Sequence, residues 1–309
     1  MGFTDRPEEK DMLDLKAAAA EFLAMTLFVI IGCGVACGHG ASDGETRLVV
    51  AFAFGMAIMV LAFSIGHHSG GHINCAVTFS LVLGGQCDWK QGVLNVVAQL
   101  AGSLVGASFL AGMFDCDNDM TNSLGSNIVA PNFTLGQAFL GELLMTFLLC
   151  FTVYETAVNK DTACGKNACI AIGFSVFLAH LVLLPINGCS INPTRSFGPA
   201  IVTAMRDCDT KPGSLHLDHL WVTWAGPMAG AGLAALMQKA FVRTDDLPED
   251  LPAPWDAATG APTKNVATPA PHLDTGDEMG GKRNGERPAP VGVYMMDVDQ
   301  DPPITIGNA

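Results

Sequence analysis

The sequence predicts an all-α membrane protein: six transmembrane helices plus two re-entrant half-helices, arranged as inverted repeats. Three observations carry that expectation. Half of the 309 residues are hydrophobic and only 15% are charged, against about 25% charged in a soluble domain. Six runs approach the roughly 20 predominantly apolar residues that a helix needs to cross hydrocarbon. Two shorter apolar runs, too short to cross, each follow an Ile-Asn pair, in "GGHINCAVT" and "GCSINPTRSFGPA".

In chain order, spans are expected at 17–38, 48–66, 92–113, 135–157, 168–185 and 219–241, with half-helices at 75–85 and 193–203. Residues 1–16 read as a cytoplasmic N-terminus, because "TDRPEEKDMLD" is polar and acidic and lacks the pattern of a cleavable signal peptide. The first span then stays in the mature chain. Residues 17–242 read as one membrane-embedded domain, with repeats over about 17–113 and 135–241. From Arg243 onward, twelve Asp and Glu face five Lys and Arg in a Pro- and Ala-rich stretch without apolar periodicity. That composition predicts a disordered acidic cytoplasmic tail over 243–309.

Basic residues set the orientation. With the N-terminus inside, Arg6, Lys10, Lys16, Lys90, Lys160, Lys166, Lys239 and Arg243 fall on the cytoplasmic side. Arg47, Arg206 and Lys211 fall outside. An even number of spans leaves both termini in the cytoplasm. The outer stretch "FDCDNDMTNSLGSNIVAPNF" has no Lys or Arg and carries a glycosylation sequon at Asn132. The plasma membrane is the default location, with an internal membrane open.

The net charge of −14 and the lack of a basic patch argue against a nucleic-acid partner. Of ten cysteines, most lie in or beside apolar runs and read as small core or lipid-facing residues. Cys116 and Cys208 fall in outer loops, where pairing between them is one option. No CxxC pair accompanies a His cluster, so no metal site is expected. His67, His68 and His72 in "GHHSGGH" read as local hydrogen-bonding groups.

The chain also repeats itself. "AEFLAMTLFVIIG" from Ala20 is similar to "GELLMTFLLCF" from Gly141, each with a carboxylate (Glu21, Glu142) near the start of a span. Asn74 and Asn192 then occupy matching places. Three spans per repeat is an odd number, so the second repeat is inverted. Inverted repeats put a shared site near the bilayer midplane, with broken helices entering from opposite faces. Polar interruptions at that depth are tolerated where they line a water-filled cavity or are buried in protein.

The two Asn-x-small loops, the paired Glu residues and "INPTRSFGPA" resemble the aquaporin (major intrinsic protein) family over about residues 17–241. That resemblance implies two half-helices meeting tip to tip, with Asn74, Cys75 and Ala76 facing Asn192, Pro193 and Thr194 at a central constriction. Asn is a favoured N-cap, and each helix N-terminus carries roughly +0.5 of an elementary charge. Two such ends facing one passage repel cations and disfavour a proton relay. The resemblance also implies a narrower filter built from Phe54, His180, Cys189 and Arg195. Phe52 also lies in the "AFAFG" run; only the offset from Asn74 favours Phe54. Glu21 and Glu142 are expected to brace the loops through backbone N–H groups. His180, Ser196, Ala200 and Trp224 are similar to the water-selective type, while Thr223 departs from it.

The family normally reads Asn-Pro-Ala in both loops. Here they read Asn74-Cys75-Ala76 and Asn192-Pro193-Thr194. Proline suits the first helical position because its φ is preset and its missing N–H would be unpaired anyway. Cysteine at 75 is therefore expected to loosen the turn slightly. A thiol at a helix N-terminus, as at Cys75, has its thiolate favoured, and Cys189 matches a filter position of the family, so Cys189 and Cys75 are candidates for mercurial or oxidant sensitivity.

The expected function is passive single-file conduction of water, with no cofactor and no chemical turnover, by a protein embedded in membrane lipid. Homotetramers are what the resemblance implies. Two alternatives stand beside it: a broader channel for small neutral solutes such as glycerol, hydrogen peroxide, ammonia or urea, and a weakly conducting junctional membrane protein.

Overall fold

The structure, a computed structural model, describes residues 13–159, 162–206, 208 and 215–241. The acidic tail from Arg243, the N-terminal basic residues Arg6 and Lys10, and Lys160 and Lys211 lie outside the described residues.

The chain is all helical among the described residues. Helix α1 runs Leu15–His39, α2 Gly44–Ser69, α3 Cys75–Leu83, α4 Trp89–Met113 and α5 Leu135–Val153. Then come α6 Ala168–Asn187, α7 Pro193–Met205, the single turn α8 Leu215–Asp218 and α9 Val222–Phe241. A π-helical turn, Tyr154–Val158, extends α5. Helix starts are written locally. Asp14 accepts from the N–H groups of Lys16 and Ala17. Asp88 does the same for Lys90 and Gln91. Asp43 with Thr46, and Thr134 with Gln137, form reciprocal capping boxes.

Helices α1, α2, α4, α5 with its π turn, and α6 are long and apolar enough to cross a membrane. Helix α9 is 20 residues long, sufficient to span, though its Gly- and Ala-rich sequence is less apolar. It stands to α5 as α4 stands to α1 and completes the six. Helices α3 and α7, at 9 and 13 residues, are the two half-helices. Large apolar side chains such as Leu23, Phe63, Phe109, Leu140, Phe174 and Leu236 point outward. Such a surface needs lipid or another subunit to cover it, and the chain is a multi-pass membrane protein.

The two repeats are visible in the packing. Helix α1 packs on α4, and α5 on α9; α2 meets α6. Each half-helix crosses over, α7 packing on α4 and α3 on α9. Both intra-repeat crossings rest on a small-xxx-small pair, which lets helix backbones approach closely. A Cβ on Gly102 or Gly106 would run into the carbonyls of Phe22 or Thr26 on α1. A Cβ on Gly226 or Gly230 would run into Glu142 or the Leu143 carbonyl on α5. Matching glycines thus hold matching crossings, and these fix where Glu21 and Glu142 sit.

The loop joining α4 to α5 is tied down on one side of the bundle. Cys116 and Cys208 form a disulfide with Cα atoms 5.8 Å apart, which settles the pairing left open by the sequence. Arg206 forms an ion pair with Asp119 at 3.2 Å and donates to the Phe114 carbonyl.

Candidate functional site

Helices α2 and α6 both end at a left-handed glycine, Gly70 (φ 85°) and Gly188 (φ 82°), which turns the chain back toward the core. The loops that follow hold Ile73 (φ 47°), Cys189 (φ 55°) and Ile191 (φ 46°) in the left-handed region as well. β-Branched residues rarely adopt that conformation, and such strain persists only when surroundings impose it.

The imposing groups are two carboxylates, each without solvent exposure. Glu21 Oε1 accepts from the His72 N–H (2.8 Å) and Ser69 Oγ (2.6 Å), and Oε2 from the Ile73 N–H (2.7 Å) and Gln99 Nε2 (2.7 Å). Glu142 Oε1 accepts from the Ser190 N–H and Asn187 Nδ2, both at 2.7 Å, and Oε2 from the Ile191 N–H at 2.6 Å. In each repeat the carboxylate holds the two residues that precede the asparagine. A buried ionisable group in a membrane is expected to face such partners.

Asn74 and Asn192 each cap a half-helix. Asn74 Oδ1 accepts from the Ala76 N–H (2.8 Å), and Asn192 Oδ1 from the Arg195 N–H (3.1 Å). Their amide nitrogens reach across the pseudo-twofold: Asn74 Nδ2 donates to the Ile191 carbonyl (2.8 Å) and Asn192 Nδ2 to the Ile73 carbonyl (2.7 Å). The half-helix tips therefore meet. An amide nitrogen has two hydrogens, so one N–H of each asparagine is left beyond these bonds. Both residues line a cavity of about 60 Å3 that also touches Ser190, Ile191, Val153 and Ala157. A buried water needs on the order of 10–15 Å3 by that measure, so the space fits a short file of water.

The cross-tip contacts include the residues that break the Asn-Pro-Ala pattern. The Cys75 N–H donates to Thr194 Oγ1 at 3.3 Å, and that hydroxyl donates to Asn192 Oδ1 at 2.7 Å. The N–H that proline would lack at position 75 has an acceptor here, on the tip of the other half-helix. Ala76 is fully buried, and Pro193 opens α7 at its first helical position.

Phe54, His180 and Arg195 converge elsewhere along the same core. The Phe54 and His180 rings stack with centroids 4.3 Å apart, and Arg195 Cζ lies 4.9 Å from the Phe54 centroid. Phe52 points outward, at 54% exposure against 1% for Phe54, so the offset from Asn74 selects the inward ring. His180 Nδ1 lies 2.8 Å from the Val176 carbonyl. A carbonyl only accepts, so Nδ1 carries the hydrogen and Nε2 of the neutral ring is an acceptor. His180 Nε2 and Arg195 Nε are buried without a hydrogen-bond partner in the protein. Cys189 is fully buried, its N–H directed at Asn187 Oδ1 at 3.3 Å.

Two positioning residues carry no signal in the sequence motifs. Asn127, in the loop between α4 and α5, accepts from Arg195 NH1 (2.8 Å) and Ser196 Oγ (2.7 Å), while its Nδ2 donates to the Asn187 carbonyl (3.1 Å). Gln99 joins Glu21 to Thr78 and Thr194. A polar residue inside the apolar run "VVAQLAG" was available as a hint for Gln99; Asn127 sits in a polar loop and had none. Asn132 is exposed, and the Thr134 of its sequon caps α5. His72 Nδ1 pairs with Thr78 Oγ1 at 3.1 Å. The His67 and His68 rings lie 3.8 Å apart, tilted by 44°, and no group of three metal-ligating side chains lies together among the described residues.

Comparison with known proteins agrees with this architecture. The fold is similar to the X-ray structure of the aquaglyceroporin from Plasmodium falciparum, with a TM-score of 0.65 at 19% identity over 74% of this chain and 96% of that one. Aquaporin-5 of Homo sapiens is 40% identical over 223 residues, 72% of this chain and 79% of that protein. Aquaporin-1 of Sus scrofa is 37% identical over 250 residues, 78% of this chain and 88% of that protein. The family description Major intrinsic protein matches residues 8–238. The chain belongs to the major intrinsic protein family, membrane channels rather than enzymes.

Proposed function

We propose that the chain is a passive water channel that conducts water in single file and excludes ions and protons. The observation that carries this reading is the pair of buried nitrogens beside the Phe54 ring. His180 Nε2 is an acceptor and Arg195 Nε a donor, and neither has a protein partner. Water supplies a donor and an acceptor within one small molecule. The stacked Phe54 and His180 rings favour a small solute over a larger one.

Exclusion of ions follows from charge and dehydration. Arg195 puts a fixed guanidinium at the filter, and two half-helix N-termini add roughly half an elementary charge each at the asparagines. A cation meets repulsion at both places. An anion is attracted by those charges, yet it would have to shed its hydration shell to enter a space that fits a short file of water, which costs on the order of tens of kcal/mol before compensation. The spare N–H groups of Asn74 and Asn192 donate to a water oxygen at the midpoint, turning its hydrogens outward and breaking a proton relay. The relatives named aquaporin support the same cargo. We take the assembly to be a homotetramer with a pore in each subunit and both termini in the cytoplasm, at the plasma membrane.

The test is osmotic shrinkage of vesicles containing the purified protein, followed by stopped-flow light scattering. Faster shrinkage than in empty vesicles, with no proton or ion leak, is expected. Shrinkage at the rate of empty vesicles would overturn the proposal.

A further inference from the structure

The two repeats make matching amide-to-carbonyl bonds at their asparagines, and the half-helix starts that follow differ at two successive positions. Residue 75 is Cys where its counterpart 193 is Pro; residue 76 is Ala where its counterpart 194 is Thr. The two larger oddities touch. The Cys75 N–H donates to Thr194 Oγ1 at 3.3 Å, and both residues are buried, at 3% and 0% exposure.

The first N–H groups of a helix have no partner within it. Pro193 solves this in α7 by having no N–H. Cys75 does not, so its N–H needs an acceptor in a place closed to bulk water, and a buried donor left unpaired is costly. The Thr194 hydroxyl supplies that acceptor from the other repeat. A hydroxyl has one hydrogen and two lone pairs; its hydrogen goes to Asn192 Oδ1 at 2.7 Å, the shorter of its two donor contacts, Gln99 Oε1 being at 3.4 Å. The chain of bonds therefore runs from the tip of α3, through Thr194, to the side chain of Asn192. Asn192 Nδ2 in turn holds the Ile73 carbonyl at 2.7 Å, two residues before the donor that began the sequence, and closes a ring.

We propose that Cys75 and Thr194 act as one compensating unit, positioning residues that lock the two half-helix tips together and fix the orientation of the Asn192 amide in the constriction. It is the backbone of Cys75, not its thiol, that takes part. This rests on the water-channel reading for its functional half only; the coupling between the two positions does not depend on it.

The test is a double-mutant cycle in the full chain, read by thermal unfolding in detergent and by water permeability per channel. Thr194→Ala strands the Cys75 N–H and is expected to lower the unfolding midpoint by about 4 °C and to reduce flux. Thr194→Ser keeps the hydroxyl and should restore both readouts. Cys75→Pro removes the donor, so in the Thr194→Ala background it should raise the midpoint and the flux, whereas in the parent chain it should not. Additive losses in the double variant, or a Thr194→Ala chain unchanged in midpoint, would overturn the coupling. Absence of flux in the parent chain would overturn the channel reading instead, while the unfolding cycle still decides on the pair. A cycle seen in the midpoint with unchanged flux throughout would overturn the positioning role.

Discussion

Asn127 accepts a hydrogen bond from the Arg195 guanidinium at 2.8 Å and one from the Ser196 hydroxyl at 2.7 Å. A loop side chain thus sets the direction of a buried cation. Removing it by Asn127→Ala leaves NH1 unpaired at a charged group, a loss of roughly 1.5–3 kcal/mol. Lower thermal stability in detergent and reduced water flux in vesicles are expected, and unchanged values in both would show that Arg195 holds its place without the loop.

The carboxylate braces give a second expectation. Glu142→Gln replaces an oxygen that accepts from the Ser190 or Ile191 N–H with an amide donor, setting donor against donor in a buried loop. About 2–3 kcal/mol of stability should go, roughly 5–10 °C in unfolding midpoint, together with most water flux. Differential scanning fluorimetry and stopped flow on the same preparation read both. Glu21→Gln should behave alike, because Glu21 holds His72 and Ile73 in the same manner.

Selectivity is expected to follow the stacked pair. His180→Gly removes the ring that lies 4.3 Å from Phe54 and opens space at the proposed filter. Glycerol uptake by vesicles should rise on the order of tenfold, with water flux retained. Equal glycerol flux before and after the change would favour the broader-solute channel.

Mercurial sensitivity separates the buried thiols from the others. Cys75 and Cys189 are both buried, whereas Cys164 is exposed and Cys87 and Cys169 are partly so. Inhibition by mercuric chloride should be lost in a Cys75→Ser, Cys189→Ser double variant. Retained inhibition would move the reactive site to one of the accessible thiols.

Asp119 ties the loop between α4 and α5 to acidity. Burial alone would raise its carboxyl, but bonds from the Thr121 hydroxyl and from the Leu124 and Thr121 N–H groups prevail and hold it below the usual aspartate range. A carboxyl depressed in the folded state stabilises it above the unfolded value, about 3.9, and that contribution is lost as pH falls through the folded value. The unfolding midpoint should therefore drop below about pH 4, and Asp119→Asn should flatten that part of the profile. An identical acid limb in the variant would assign the loss to other carboxylates.

What could be read from residues alone was whatever stands out against apolar surroundings. Glu21, Glu142, Asn74 and Asn192 are polar groups in runs built for lipid, and their offsets from one another carried Phe54, His180 and Arg195 with them. The structure places the first four in one bonded assembly and the last three in contact. The individual bonds that join the repeats were not legible. Nothing near Thr194 in sequence says that its hydroxyl meets residue 75, and Asn127 looks like any residue of a polar loop. Element ends also shifted for local reasons. Helix α2 starts at Gly44 rather than 48 because Asp43 caps it, and α5 gives way to a π turn at Tyr154, whose hydroxyl donates to the Ser80 carbonyl.

Each brace serves its own half of the chain. Glu21 and the loop it holds both precede α4, and Glu142 and its loop both follow the start of α5. A nascent first half can therefore shape its asparagine turn before the second half has left the ribosome. The crossed half-helix contacts, the Phe54–His180 stack, the amide bonds of Asn74 and Asn192 and the Cys75–Thr194 bond must all wait for the halves to dock, so the lumen should take its shape later than the turns that line it.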